Sequence, residues 1–291
     1  MRCTEKRFFK YWKTRDGQMN FNSLSRWIGK HVFFRKVAFS IIRLTTLREW
    51  YINRLFKKIL PNKNESFCFL DLGCGLGQHS IAIARKYPHS RVIAIDADRE
   101  KIENCRYFAQ KEKISNIRYL SINAQDLGPE MSCDVILCNS VLEHIRDDET
   151  VLLALFTILR AGGYLLIYVP IAEDRLLPHL TRQQHKLLQR DKATFLHEHV
   201  RYYNKSELLT KLKRTGLEID DFEFTYGMYG KLSYDIITTV QYSPFFKFVF
   251  PFYLLFLHPY IMLLMWADYR QQIKTGNGLV IVAHKPNTAG F

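Results

Sequence analysis

The chain has 291 residues, 47% hydrophobic and 24% charged, a balance that excludes a disordered tail, a collagen-like fibre and a multi-span membrane protein. Lys and Arg outnumber Asp and Glu by 42 to 28, and the excess is uneven. Residues 1–60 hold 15 Lys/Arg against 3 Asp/Glu, so +12 of the net +14 sits there and +2 is left for the remainder. Such a segment suits an anionic partner, lipid phosphate or nucleic acid.

Within residues 8–60, Trp27, Phe34, Phe39, Ile42, Leu47, Trp50, Leu55 and Ile59 recur at helical spacing between basic residues, which predicts helices. Pro61 and the polar run Asn62–Ser66 end them. Residues 1–62 therefore read as a basic, aromatic helical arm and 63–291 as the main domain. The N-terminus lacks the apolar stretch and cleavage site of a signal peptide. None of the six cysteines forms a CxxC pair, and Cys68, Cys133 and Cys138 fall in apolar runs; reduced core thiols in a cytosolic setting are expected.

From residue 67 strands and helices alternate. FCFLDL (67–72), RVIAIDA (91–97), IRYLSIN (117–123), CDVILCNS (133–140) and YLLIYVP (164–170) read as strands. HSIAIARKY (79–87), 99–112 and 147–160 read as helices between them, the last stopped by Ala161-Gly162-Gly163. A capping box at Asn204 and Glu207 opens another helix, and strands follow at 217–227 and 278–286. Strand–helix–strand repetition of this kind predicts an α/β fold with a doubly wound, mostly parallel, seven-stranded sheet. Two insertions do not fit a minimal domain: polar 171–203, expected to overhang the site as a lid, and aromatic 228–276.

Asp71-Leu-Gly73-Cys74-Gly75-Leu-Gly77 follows the first strand and precedes a helix. The dinucleotide fingerprint GxGxxG would need glycine where Gln78 stands, so the spacing is GxGxG. A carboxylate two residues before the first glycine repels pyrophosphate and attracts an ammonium. Asp96 ends the second strand, where a carboxylate can accept both hydroxyls of a ribose.

With these features, residues 67–170 resemble the class I S-adenosylmethionine-dependent methyltransferases, in particular the broad small-molecule "type 11" group. Four motifs match in order across about a third of the chain: DLGCGLG, the Asp96 strand end, INAQDLG (122–128) and Asn139–Ile145 (NSVLEHI). The resemblance implies S-adenosylmethionine as cofactor. It assigns Asp71 to the methionine amino group, the Gly73, Cys74, Gly75 and Gly77 loop to backbone contacts, and Asp96 to the ribose hydroxyls. Ala97 would lie against the adenine, Asn123 would accept from its amino group in place of the family's usual Asp, Ala124 would offer a backbone N–H, and Asn139 would stand beside the transferable methyl.

An oxygen or carbon acceptor must also lose a proton, and His is the usual base near neutral pH. His144 is the first candidate and His199 the second, the latter from a lid that also carries His179, His185, His197, Tyr202 and Tyr203. His197-Glu198-His199 lacks a companion ligand pair at standard spacing, so no metal is expected. Arg175, Arg182 and Arg201 are candidates for holding an anionic acceptor or for plain surface charge.

Phe248–Ala267 is 20 residues without formal charge, long enough to span a bilayer. Pro251 and Pro259 interrupt it, and one crossing would put two strands of a single sheet on opposite sides. An interfacial element is expected, or else a private core with 8–60; Phe250, Phe252, Tyr253, Phe256, Tyr260 and Trp266 suit the interface and the basic arm suits anionic lipid. The reading is a methyltransferase acting on a small-molecule acceptor, lipid-linked or lipophilic, as a peripheral protein at the cytoplasmic membrane face. The alternatives are a nucleic-acid methyltransferase using the arm, for which no [D/N]PP[Y/F] motif speaks, and a non-catalytic scaffold.

Overall fold

The computed structural model describes residues 31–172, 174, 176–177, 199–241 and 252–287. The expected helix over 8–30, most of the 171–203 lid and residues 242–251 lie outside them.

In chain order the elements are α1 (Val32–Thr45), α2 (Leu47–Ile59), β1 (Cys68–Leu72), α3 (Gln78–Lys86), β2 (Arg91–Ile95), α4 (Arg99–Lys111), β3 (Ile117–Leu120), β4 (Cys133–Asn139), α5 (Asp148–Ile158) and β5 (Leu159–Pro170). Then come α6 (Lys205–Arg214), β6 (Glu218–Thr225), α7 (Met228–Gln241), a π-helical turn (Tyr253–Leu257), α8 (His258–Arg270) and β7 (Gly278–His284). One seven-stranded sheet runs β3-β2-β1-β4-β5-β7-β6, parallel except for β7, which is antiparallel to β5 and β6. The strand order reverses between β1 and β4, the switch point beyond whose carboxyl ends doubly wound folds form their ligand crevice.

The central strands are buried on both faces and alternate between two cores. Phe69, Val135, Leu137, Leu166 and Val280 join one core, Leu70, Ile136, Cys138, Leu165 and Ile281 the other. This is why they read as unbroken apolar runs. The helix after β4 ends at Ile158, and β5 starts at Leu159, before the expected Gly162-Gly163 stop. Asn204 does cap α6, its side chain accepting from the Ser206 N–H at 3.0 Å, while Glu207 lies 3.6 Å from Lys211 along the helix.

The basic segment does not stand off the domain. Leu47, Tyr51, Ile52, Leu55 and Phe56 of α2 enter the same core as Ile83 of α3 and Ile261 and Met265 of α8. Asp268 fastens this layer, accepting from the Gly230 N–H at 2.8 Å and from the Tyr51 hydroxyl at 3.3 Å. Three of its arginines turn inward, which corrects the view that its charge serves an outside anion alone. Arg35 is fully buried: it donates to the Leu76 carbonyl, to the Asn104 carbonyl at 2.7 Å, and stacks on Phe108. Arg54 pairs with Glu223, and Arg48 reaches the end of β4.

No helix among the described residues is long and apolar enough to cross a membrane. The five described cysteines, Cys68, Cys74, Cys105, Cys133 and Cys138, are buried free thiols.

Candidate active site

The glycine loop leaves β1 and turns into α3. Gly73 takes φ +70°, and a Cβ there would meet Val141 Cγ2 at 2.3 Å, so only glycine fits between the loop and the β4 end. Gly75 takes φ +54°, and a Cβ there would meet nothing within 4 Å. Its backbone thus faces open space at the crevice. Asp96, just past β2, is mostly buried and locks this shape: Oδ2 accepts from the Gly75 N–H and Oδ1 from the Asp98 N–H, both at 2.9 Å. A carboxylate aligned by two backbone donors, beside an open glycine backbone, fits the sugar and chain of a nucleoside-type cofactor.

Asp71 is buried and faces α3, where it accepts from the Ser80 N–H at 3.0 Å and from the Ser80 hydroxyl. Burial pushes its carboxyl above the usual range, opposed by His79 and Ser80. What the structure gives Asp71 is a fastening role between β1 and α3. Cys74 is buried, donating its N–H to the Ile95 carbonyl at 2.8 Å, and Gly77 begins α3 in the left-handed region. Ala97 is exposed beside Asp96. Asn123 is exposed beyond β3 and donates to Asp126 at 3.0 Å, with Ala124 half-buried next to it. These residues lie at or just beyond the carboxyl ends of β1, β2 and β3.

The β4 end is polar in a way the sequence did not reveal. Asn139 Nδ2 lies 3.3 Å from His79 Nε2, and its Oδ1 is buried without a partner among the described residues. Ser140 is a non-glycine residue at φ +56°, a costly conformation that clusters at functional sites. Its hydroxyl accepts from Arg48 Nη1 at 2.8 Å. Arg48 lies over the Tyr168 ring, its Cζ 5.2 Å from the centroid, and the Tyr226 hydroxyl accepts its backbone N–H at 3.3 Å. Burial pushes Tyr168 up to about 12. Next along α2, Glu49 Oε2 stands 3.3 Å from His79 Nε2, both side chains nearly out of solvent. Arg48 and Glu49 were missed because they precede the domain's first motif. The available signal was Glu49 itself, the one acid between Gly17 and Lys63.

Beyond Ser140, a single 3-10 turn (Leu142–His144) carries Glu143 and His144. Glu143 is buried, and burial pushes its carboxyl up to about 7. The Val200 and Arg201 N–H groups donate to the Glu143 carbonyl at 2.8 and 3.4 Å, bringing residues 199–201 onto this turn. His144 and His199 consequently meet ring to ring, centroids 5.0 Å apart, and Tyr202 lies 5.3 Å beyond His199. The two histidines chosen from sequence are thus neighbours. Among the arginines considered for an anionic acceptor, Arg201 instead pairs with Asp148 at 2.8 Å, beside Lys211 and the Tyr203 hydroxyl. His179, His185, His197, Arg175 and Arg182 lie outside the described residues.

The family described as "Methyltransferase domain" matches residues 63–216, just over half of the chain. Trans-aconitate 2-methyltransferase of Methylobacterium radiotolerans is 32% identical over 101 residues, covering 35% of this chain and 37% of the relative. Ubiquinone biosynthesis O-methyltransferase of Acinetobacter baylyi is 24% identical over 214 residues, covering 68% of this chain and 79% of the relative. The chain spans about two fifths of the length of the first curated relatives it matches. Among solved structures, coclaurine N-methyltransferase bound to N-methylheliamine and SAH has TM-score 0.55 at 13% identity, covering 81% of this chain and 70% of that one. The [4+2]-cyclase SpnF has TM-score 0.53 at 16% identity, covering 81% of each chain. At these identities the structures report the fold alone, and the fold is shared with a cyclase. Sheet order, glycine loop and family match together make this chain a member of the methyltransferase-domain family, in the class I S-adenosylmethionine-dependent group.

Proposed function

We propose that the protein binds S-adenosylmethionine at the carboxyl ends of β1–β3 and transfers its methyl group to a small-molecule acceptor held at the ends of β4–β6. The observation that carries this reading is the Asp96 carboxylate aligned by the Gly75 and Asp98 N–H groups beside an open glycine backbone. Asp96 would hold the ribose, Ala97, Asn123 and Ala124 the adenine, the Gly73–Gly77 loop and Asp71 the methionine part, with Asn139 beside the methyl. When bound, the cofactor supplies an electrophilic methyl on a sulfonium. The protein's work is to place the acceptor's lone pair in line with it and to promote loss of the acceptor's proton. Arg48, Tyr168 and Tyr226 wall the acceptor space, and the Glu143–His144–His199 cluster stands where the acceptor would lose its proton. Calorimetric titration of the full chain with S-adenosylmethionine and S-adenosylhomocysteine tests the reading. Saturable micromolar binding is expected; folded protein that binds neither overturns it.

The acceptor is proposed to be lipophilic or lipid-linked, met at an anionic membrane surface. Supporting this, α1 exposes Phe33, Phe34, Val37, Ile41 and Leu44 at helical spacing, and the π-helical turn with α8 exposes Phe252, Leu255, Phe256, Tyr260, Leu263 and Trp266. Aromatic stripes with nearby basic charge suit a lipid interface, where two weak signals add. Wild-type protein is expected to sediment with phosphatidylglycerol vesicles. The Phe256→Ser, Tyr260→Ser, Trp266→Ser variant should stay in the supernatant with its S-adenosylhomocysteine affinity unchanged. Wild-type protein that never sediments would sink the membrane part alone.

A further inference from the structure

We infer that Glu143, His144 and His199 form a binding site for one zinc ion at the acceptor end of β4. Each offers one ligand atom, and the three atoms lie within 4.8 Å of one another. Zinc ligands at their usual bond lengths stand roughly 3.4 Å apart in a tetrahedron, so side-chain rotation of little more than an ångström closes the set. Two imidazoles and a carboxylate, with no thiolate, are the donor set of zinc sites that keep a fourth position open for water or substrate. Two nitrogen donors disfavour magnesium and calcium, which take oxygen.

The convergence is built by the fold. Glu143 and His144 are held on one turn, and His199 is brought to it because Val200 and Arg201 donate to the Glu143 carbonyl. A second observation points to a ligand. Glu143 is 1% exposed, and its Oε2 has no hydrogen-bond partner among the described residues. Exposed acids often gather without an ion, but a buried carboxylate oxygen left unpaired costs free energy that a cation would recover. The Arg48 charge and the Ser140 side chain also act on this carboxyl, but neither gives Oε2 a hydrogen bond.

The role of the ion, though not its binding, rests on the methyl-transfer reading. Coordinated to the zinc, an acceptor hydroxyl becomes more acidic and gives its proton to solvent. The resulting oxyanion attacks the methyl carbon; the new C–O bond forms as the C–S bond breaks, leaving a methyl ether and S-adenosylhomocysteine. His144 and His199 then serve as ligands and not as proton acceptors, and an acceptor with two adjacent oxygens would be favoured because both reach the ion.

The test is titration of chelator-stripped, full-length protein with Co²⁺, read by visible absorption, and with Zn²⁺, read by calorimetry. One equivalent of Co²⁺ is expected to give d–d bands without a thiolate charge-transfer band. His144→Ala, His199→Ala and Glu143→Gln should each weaken binding by more than the about 10–100-fold that outer-shell changes cost. His199 is exposed, so its variant keeps the test valid if the buried Glu143 change impairs folding. No saturable uptake, a thiolate band, or uptake unchanged in the histidine variants overturns the site. Co²⁺ binding with these properties in protein that fails to bind S-adenosylhomocysteine upholds the site and overturns the methyl-transfer reading instead.

Discussion

Asp96→Ala is expected to weaken S-adenosylhomocysteine binding by about 10²–10⁴-fold in calorimetry, with the protein still folded. The magnitude follows from two charge-assisted hydrogen bonds to ribose hydroxyls, each about 1.5–3 kcal/mol, at 1.4 kcal/mol per decade. The structure adds a second reason. Asp96 also holds the Gly75 and Asp98 N–H groups, so its loss loosens the loop that would face the cofactor. Asp96→Asn keeps the volume but turns one acceptor into a donor facing a backbone N–H, and should fall between the two. Asp98→Ala is the control. Its carboxylate accepts from Glu100 and Lys101 as the cap of α4, so its removal should cost about 1 kcal/mol of stability and little affinity. Wild-type affinity in Asp96→Ala would remove Asp96 from the ribose site.

The proposed cofactor half of the site was open to sequence reading because its residues are local. Asp71, Gly73, Gly75, Asp96 and Asn123 each sit where an apolar strand gives way to a turn, and strand order alone assembles them at the carboxyl ends of β1, β2 and β3. The acceptor half was not. Arg48 reaches Ser140 across 92 residues, and Glu49 reaches His79 from a helix that belongs, by composition, to a basic arm. Arg35 shows the same limit: a basic residue between aromatics reads as interfacial, yet it is buried because the Leu76 and Asn104 carbonyls and the Phe108 ring supply what solvent would. Charge counts record how many cations a segment has and not which carbonyls they meet. His144 and His199 were chosen separately as bases, and only the backbone clip at Glu143 makes them neighbours.

Breaking the Glu49–His79 pair is expected to cost about 3–5 kcal/mol, a fall in Tm of about 6–20 °C for a chain of this size, because either partner alone is left charged and buried. The two side chains come from α2 and α3, so this contact ties the N-terminal helices to the helix that follows the glycine loop. Burial works against both charges. Glu49 and Asp71 nonetheless hold His79 above its ordinary value, and His79 with Arg48 holds Glu49 below its own. The pH dependence follows from these directions. The His79 contribution is complete below its unfolded pKa of about 6.5 and is lost as pH rises through the raised folded value. The Glu49 contribution is complete above about 4.3 and is lost as pH falls through the lowered folded value. Wild-type Tm should therefore exceed that of the Glu49→Gln, His79→Gln double variant by a constant margin between about pH 4.5 and 6.5, and the margin should shrink toward pH 9. Each single variant should be less stable than the double, since the double leaves no charge buried alone. A margin that stays flat from pH 5 to 9 would mean that the contact is a neutral hydrogen bond. The arm would then be held to the domain by the apolar face of α2 and not by charge.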